Sequence, residues 1–86
     1  MRIFKYPINI GKTDIGLPVG SYVLSVQMQN GQPCVWVMLD PDDENKTVAT
    51  FEVVGTGHDI DRTDKGFVGT FQDGAFVWHL FVGIYK

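Results

Sequence analysis

The segment from Gly55 to Gly66 gathers side chains that could bind an anion. It begins Gly-Thr-Gly-His and continues into an aspartate-rich stretch that carries two full positive charges. Glycines expose backbone N–H groups, and basic side chains donate hydrogen bonds to phosphate oxygens. The spacing matches neither a Walker loop nor a dinucleotide fingerprint, so the segment is interpreted either as a ligand-binding loop or as a solvated connection. The residues that would contact the ligand are Thr56, Gly57, His58, Arg62 and Lys65.

Metal binding is not expected in this segment. Asp59, Asp61 and Asp64 resemble the start of a calcium loop. However, an aspartate occupies the position where such a loop requires glycine, and no glutamate closes it. We therefore predict no metal and no other cofactor.

Histidine and cysteine offer little catalytic chemistry. His79 lies on a predicted strand between Trp78 and Leu80, where it is either a packing residue or, together with Trp36, part of a ligand site. Cys34, the single cysteine, is predicted to be a small buried hydrophobic residue. No Ser-His-Asp or paired-carboxylate pattern is present, so we predict that the protein is not an enzyme.

Two turn signals determine how these residues are positioned. Asn30-Gly31 and Asp73-Gly74 each separate alternating apolar runs, which predicts two tight hairpins. In the first hairpin this register places Leu24 opposite Val37, and in the second it places Gly69 opposite Trp78. With further strands predicted at 2–7 and 47–54, the chain has about six strands. The segments 9–21, 40–44 and 55–66 are predicted to be irregular connections.

Length and composition describe a single small domain. The chain has 86 residues, of which 44% are hydrophobic, so residues 1–86 are predicted to form one all-β domain, a small antiparallel sandwich or barrel. No apolar run is long enough for a membrane helix, and the first ten residues do not resemble a secretory signal. A net charge of −3 argues against direct nucleic-acid binding. The lone cysteine suits a reducing cytoplasm.

Two strands are apolar on both faces, which predicts self-association. Cys34–Leu39 and Phe76–Val82 have this pattern, yet a small sandwich has only one interior. The second face is covered either by the segment 9–21 or by another copy of the chain. We expect a homo-oligomer that buries at least one of two pairs, Trp36 with Met38 and His79 with Phe81.

An acidic cluster follows the first hairpin. Asp40, Asp42, Asp43 and Glu44 form either a solvated turn or a contact surface for a nucleic-acid-binding host protein.

Several patterns together resemble a family of small proteins of unknown function that are encoded by phages and prophages. The most specific are PCVW at 33–36, GTGH at 55–58 and VWHLF at 77–81, and the resemblance covers nearly the whole chain. It brings no assigned activity. It implies a protein that acts in the cytoplasm of an infected bacterial host, where many phage proteins counter host defence.

The residues and the resemblance together predict a non-enzymatic binding protein that sequesters a small nucleotide-like signal. One alternative is a protein-binding inhibitor of a host defence or transcription complex, which would use the acidic cluster. A second alternative is a minor structural protein of the virion.

Overall fold

The chain folds into two antiparallel sheets that pack as a sandwich, as seen in a computed structural model that describes residues 1–60 and 65–85. One sheet has the order β1-β4-β3 and the other β2-β5-β7-β6. The strands are β1 (Arg2–Pro7), β2 (Gly11–Pro18), β3 (Tyr22–Gln29), β4 (Gln32–Leu39), β5 (Lys46–Gly55), β6 (Gly66–Asp73) and β7 (Phe76–Tyr85). The all-β prediction is confirmed, and the architecture is a sandwich and not a closed barrel.

The segment 9–21, which we expected to be an irregular connection, contains strand β2. Its side chains alternate, with Lys12 and Asp14 exposed and Ile15 and Leu17 turned towards the core. Gly11, Gly16 and Pro18 hide this alternation, because glycine and proline ordinarily indicate turns. The strand lies at the edge of its sheet, where a terminal proline is tolerated. The segment is therefore part of the sandwich and does not cover an outer face.

The first hairpin turn is confirmed, but beyond a bulge the pairing of its strands differs from the predicted register. Positive φ angles at Asn30 (52°) and Gly31 (79°) are those of a type I′ turn. A β-bulge between Val23 and Ser25 then places Val23, and not Leu24, opposite Val37. The predicted pairing of Leu24 with Val37 is therefore wrong.

The second hairpin turns one residue later than predicted. Gly74, with a φ of 59°, occupies the first central position of the turn, as in a type II′ turn. Trp78 consequently pairs with Phe71, and Gly69 pairs with Leu80. The predicted Gly69–Trp78 pair is wrong, because a one-residue shift of the turn changes every pairing that follows.

Side chains from alternating positions of both sheets form the core. Val35 and Val37 of the first sheet and Phe51, Val53 and Leu80 of the second are almost completely buried. The two sheets approach along β3 and β6, where a Cβ built on Gly69 would lie 3.3 Å from Cγ1 of Val26. Within the described residues, no helix is long and apolar enough to cross a membrane.

Candidate ligand-binding site

The chain reverses direction where β5 ends, and this turn brings the GTGH residues onto the start of β7. The Thr56 N–H donates to the Val77 carbonyl at 3.2 Å, and the His58 N–H donates to the Gly55 carbonyl at 3.0 Å. Gly57 lies between them with a φ of 85°, a conformation that favours glycine. These bonds hold His58 beside β7.

The His58 ring packs directly on the backbone of Gly55. A Cβ on Gly55 would lie 2.8 Å from the His58 ring and 3.2 Å from the Trp78 ring. The same histidine contacts the edge of Trp78, with ring centroids 6.3 Å apart and an interplanar angle of 69°. Glycine at position 55 is therefore what allows the histidine and the tryptophan to approach this closely.

Next to this contact lies an open cleft of about 320 Å³, which we call the aromatic cleft. Phe76 stacks on Trp78 with a centroid distance of 6.1 Å and an interplanar angle of 29°. Phe76 nevertheless remains 66% exposed. The lining residues are Gly55, Thr56, His58, Ala75, Phe76, Val77 and Trp78. A cleft of this composition can hold a planar ring against aromatic faces.

Both ring nitrogens of His79 are held by hydroxyl groups. Nε2 lies 2.7 Å from Thr56 Oγ1, and Nδ1 lies 2.9 Å from Thr70 Oγ1. The Thr56 hydroxyl also lies 3.4 Å from the Val77 carbonyl, to which it can donate. A neutral imidazole protonated at Nε2 satisfies all three contacts: it donates to Thr56 and accepts from Thr70. His79 is thus placed to orient Thr56, a residue that lines the aromatic cleft.

Lys65 is directed away from the aromatic cleft. Its ammonium lies 3.2 Å from Oε1 of Glu52, and the two side chains are only 5% and 9% exposed. Its stem crosses Gly83, where an added Cβ would lie 2.8 Å from the lysine Cγ. Glu52 belongs to β5, an inner strand of the four-stranded sheet. The ion pair therefore holds Lys65, which directly precedes β6, against the outer face of this sheet.

The predicted site residues are only partly brought together. Thr56, Gly57, His58 and His79 share one end of the four-stranded sheet. Trp36 lies on the other sheet, paired with Lys5 and Ser25, so it is not beside His79. Arg62 lies outside the described residues.

Phe76 and Trp78 line the aromatic cleft although sequence reasoning did not choose them as ligand contacts. Their spacing of two along one strand places them on the same face of the sheet. This spacing is the sequence feature that could have identified them as a pair of ligand contacts. Within the described part of the chain, no group of three or more histidine, cysteine, aspartate or glutamate side chains could hold a metal ion.

Comparison with known proteins identifies the family of the chain. A family model described as "Domain of unknown function (DUF7352)" matches residues 1–85, so the chain belongs to this family. No curated protein and no solved structure gives a match.

Proposed function

We propose that this member of the DUF7352 family is a non-enzymatic binding protein that sequesters a small nucleotide-like molecule in the aromatic cleft. In this proposal the protein is encoded by a phage, and sequestration of the molecule counters host defence. The observation that carries the binding proposal is the exposed Phe76 ring stacked on Trp78 beside His58. The phage setting, with action in the host cytoplasm, depends on the resemblance of the PCVW, GTGH and VWHLF patterns. The cleft supports only the binding part.

Stacking is the main source of affinity in this proposal. An exposed phenylalanine face is poorly solvated by water, and covering it with a nucleobase removes apolar area from solvent. Stacking of a base on an aromatic side chain contributes about 1–3 kcal/mol. Phe76 has a free face of this kind, because 66% of its surface is exposed although it already packs on Trp78.

Polar groups at one side of the cleft suit the sugar or phosphate of such a ligand. Thr56 and His58 both line it. The Gly57 N–H, between two amides that are used within the turn, donates to none of the described residues. Hydrogen bonds from amide and imidazole groups bind oxyanions, and the Thr56 hydroxyl, whose hydrogen is donated to Val77, can accept from a sugar hydroxyl.

We further propose that the protein works as a homo-oligomer through the outer face of the three-stranded sheet. Met38 lies between Ile3 and Tyr22 in the register of this face, and Trp36 lies on the same face two residues away. Ile3 and Tyr22 are 59% and 60% exposed. Lys5 and Ser25 flank Trp36 on this face, so the apolar patch is formed by Ile3, Tyr22, Trp36 and Met38. A patch of this kind is typical of an interface, and a second copy would cover it with the same residues.

The inhibitor alternative has less support, because the acidic cluster has a local structural role. Asp40 Oδ1 accepts a hydrogen bond from the Asp42 N–H at 3.1 Å, and Asp43 Oδ1 accepts one from the Asn45 N–H at 2.9 Å. Side chains that cap their own turn in this way are typical of connections between strands.

The proposal is tested by calorimetric titration with adenosine monophosphate, with ribose 5-phosphate as the ligand that lacks a base. We expect the nucleotide to bind more tightly than the sugar phosphate. We expect Phe76→Ala to weaken nucleotide binding by about fivefold to a hundredfold, as the loss of one stacking contact predicts.

Phe67→Ala is the matched control for this titration. Phe67 is exposed to a similar extent, 60% against 66% for Phe76, and lies on the same sheet. It contacts Phe81 and not the aromatic cleft. Equal losses in the two variants, or equal binding of the two ligands, would contradict the proposal. Native mass spectrometry of protein purified from infected cells adds a second readout, since a sequestered ligand should add a few hundred daltons.

A further inference from the structure

The acidic residues beside the aromatic cleft bear on the kind of ring that it accepts. Asp59 follows His58 directly and is exposed. Asp73, the last residue of β6, is also exposed and is the register partner of Phe76. Register partners on antiparallel strands lie on the same face, with their Cβ atoms about 5 Å apart. One acidic residue therefore lies directly beside Phe76, and another follows the histidine that packs on Trp78.

The lining of the cleft offers no lysine or arginine to offset these carboxylates. The ammonium of Lys65 lies on Glu52, at the outer face of the sheet. Neither the Asp59 nor the Asp73 carboxylate forms a hydrogen bond or an ion pair in the part of the chain that the structure describes. The sequence from 59 to 64 contains three aspartates and one arginine. The cleft and the segment that follows it therefore have a negative charge balance, which favours a cationic ligand.

The aromatic rings of the cleft attract positive charge for a separate reason. The π electrons of an aromatic ring make its face partly negative, so a cation that lies on that face is stabilised. Tryptophan is the strongest partner of this kind, and phenylalanine is also effective. Phe76 is 66% exposed and is stacked on Trp78, so a planar ligand in the cleft meets such a face. An uncharged ring gains only from stacking, whereas a cationic ring gains from stacking and from charge.

From the exposed stack of Phe76 on Trp78 beside two acidic residues, we propose that the aromatic cleft selects a planar ring that carries a positive charge, such as a pyridinium or an N-alkylated nucleobase. The ring lies on Phe76, and its charge is balanced by Asp59 and Asp73. This inference rests on the proposed function, because it concerns the same cleft. It narrows the nucleotide-like ligand to one with a cationic ring.

The test is an NMR titration of the full chain with two matched pairs of ligands. 1-Methylnicotinamide is compared with nicotinamide, and 1-methyladenosine is compared with adenosine. At neutral pH the members of each pair differ by one methyl group and one positive charge, and none contains a phosphate. The amide shifts of Phe76 and Trp78 report binding. We expect the cationic member of at least one pair to bind about tenfold more tightly, as one cation–π contact and two exposed carboxylates together imply; the pair that shows this preference identifies the ring.

Asp59→Asn and Asp73→Asn separate the effect of charge from that of the added methyl group. Each change keeps the size of the side chain and removes one carboxylate, so each should reduce the preference for the cation by about twofold to threefold. The affinity for the uncharged member should remain unchanged. Asp42→Asn is the matched control, because Asp42 is an exposed aspartate in the connection that precedes β5, at the opposite end of that strand from Gly55. This control should leave the preference unchanged.

The possible results distinguish this inference from the proposed function. If the uncharged member binds as tightly as the cation in both pairs, the cationic ring is overturned and the nucleotide proposal stands. A preference that both aspartate variants retain in full would also overturn the inference, because the methyl group alone would then explain it. If none of the four compounds binds saturably at millimolar concentration, the inference is overturned, and the proposed function fails with it only if adenosine monophosphate also does not bind.

Discussion

The buried ion pair between Lys65 and Glu52 gives the sharpest stability prediction. Lys65→Met keeps most of the apolar stem that packs on Gly83 and removes the ammonium, which leaves the Glu52 carboxylate, 9% exposed, without this partner. Removing one partner of a buried pair typically costs about 3–5 kcal/mol. Lys12 lies opposite Glu52 in the register and offsets part of the loss, so we expect about 3 kcal/mol, the lower end of that range.

A loss of this size is large for a chain of 86 residues. The typical stability per residue implies a total of roughly 4–13 kcal/mol. A loss of about 3 kcal/mol should therefore lower the melting temperature by roughly 12–24 °C. Urea denaturation followed by the fluorescence of Trp36 and Trp78 measures the change directly, because the two tryptophans lie in different sheets.

A double-mutant cycle shows whether the effect belongs to the pair. Glu52→Gln removes the other charge, and the double variant should be less destabilised than the sum of the two single variants, by at least about 1 kcal/mol. Lys46→Met is the matched control: Lys46 is an exposed lysine of the same sheet, so its loss should stay within about 0.5 kcal/mol. If Lys65→Met costs no more than this control, the pair is solvated and our description of it is wrong.

Two further predictions concern the sheet edges and the outer faces. Gly69→Val should destabilise the protein by about 1–3 kcal/mol, because an added Cβ would lie 3.3 Å from Cγ1 of Val26; an unchanged melting temperature would show that β3 and β6 do not approach this closely. Ile3→Lys should dissociate the proposed homo-oligomer in light scattering, because it places a charge in the proposed interface, whereas Phe81→Lys on the other sheet should leave it assembled. A monomeric unmodified chain at micromolar concentration would refute the interface.

Local sequence signals were sufficient to predict the fold class. The details of strand pairing were not predictable, because they depend on contacts between residues far apart in the sequence. The Asn30-Gly31 turn was predictable, because only a few residues tolerate positive φ at two successive positions. The bulge near Val23 and the later turn at Gly74 were not, since each depends on which side chains the opposite sheet accepts. Strand β2 was missed because its glycines and proline resemble a loop.

The candidate site was predictable in part for the same reason. The GTGH and VWHLF patterns drew attention to Thr56, His58 and His79, and these residues do lie at one end of a sheet. The Lys65–Glu52 pair was not predictable from spacing, because it depends on where Lys65 packs against the outer face of β5. Trp36 is predicted to lie in one ligand site with His79, but sequence alone cannot show that their two strands belong to different sheets.

The charges around the aromatic cleft determine which part of a nucleotide the proposed site would recognise. Lys65, one of the two full positive charges in the segment 55–66, is held by Glu52. Asp59 follows His58 directly and remains exposed, so it opposes an approaching phosphate. A hydrogen bond from the His58 imidazole and the stack on Phe76 are less sensitive to this local field than an ion pair is. Recognition at the proposed site should therefore depend mainly on the planar ring of the ligand, and among nucleotides that share a base, additional phosphates should not strengthen binding.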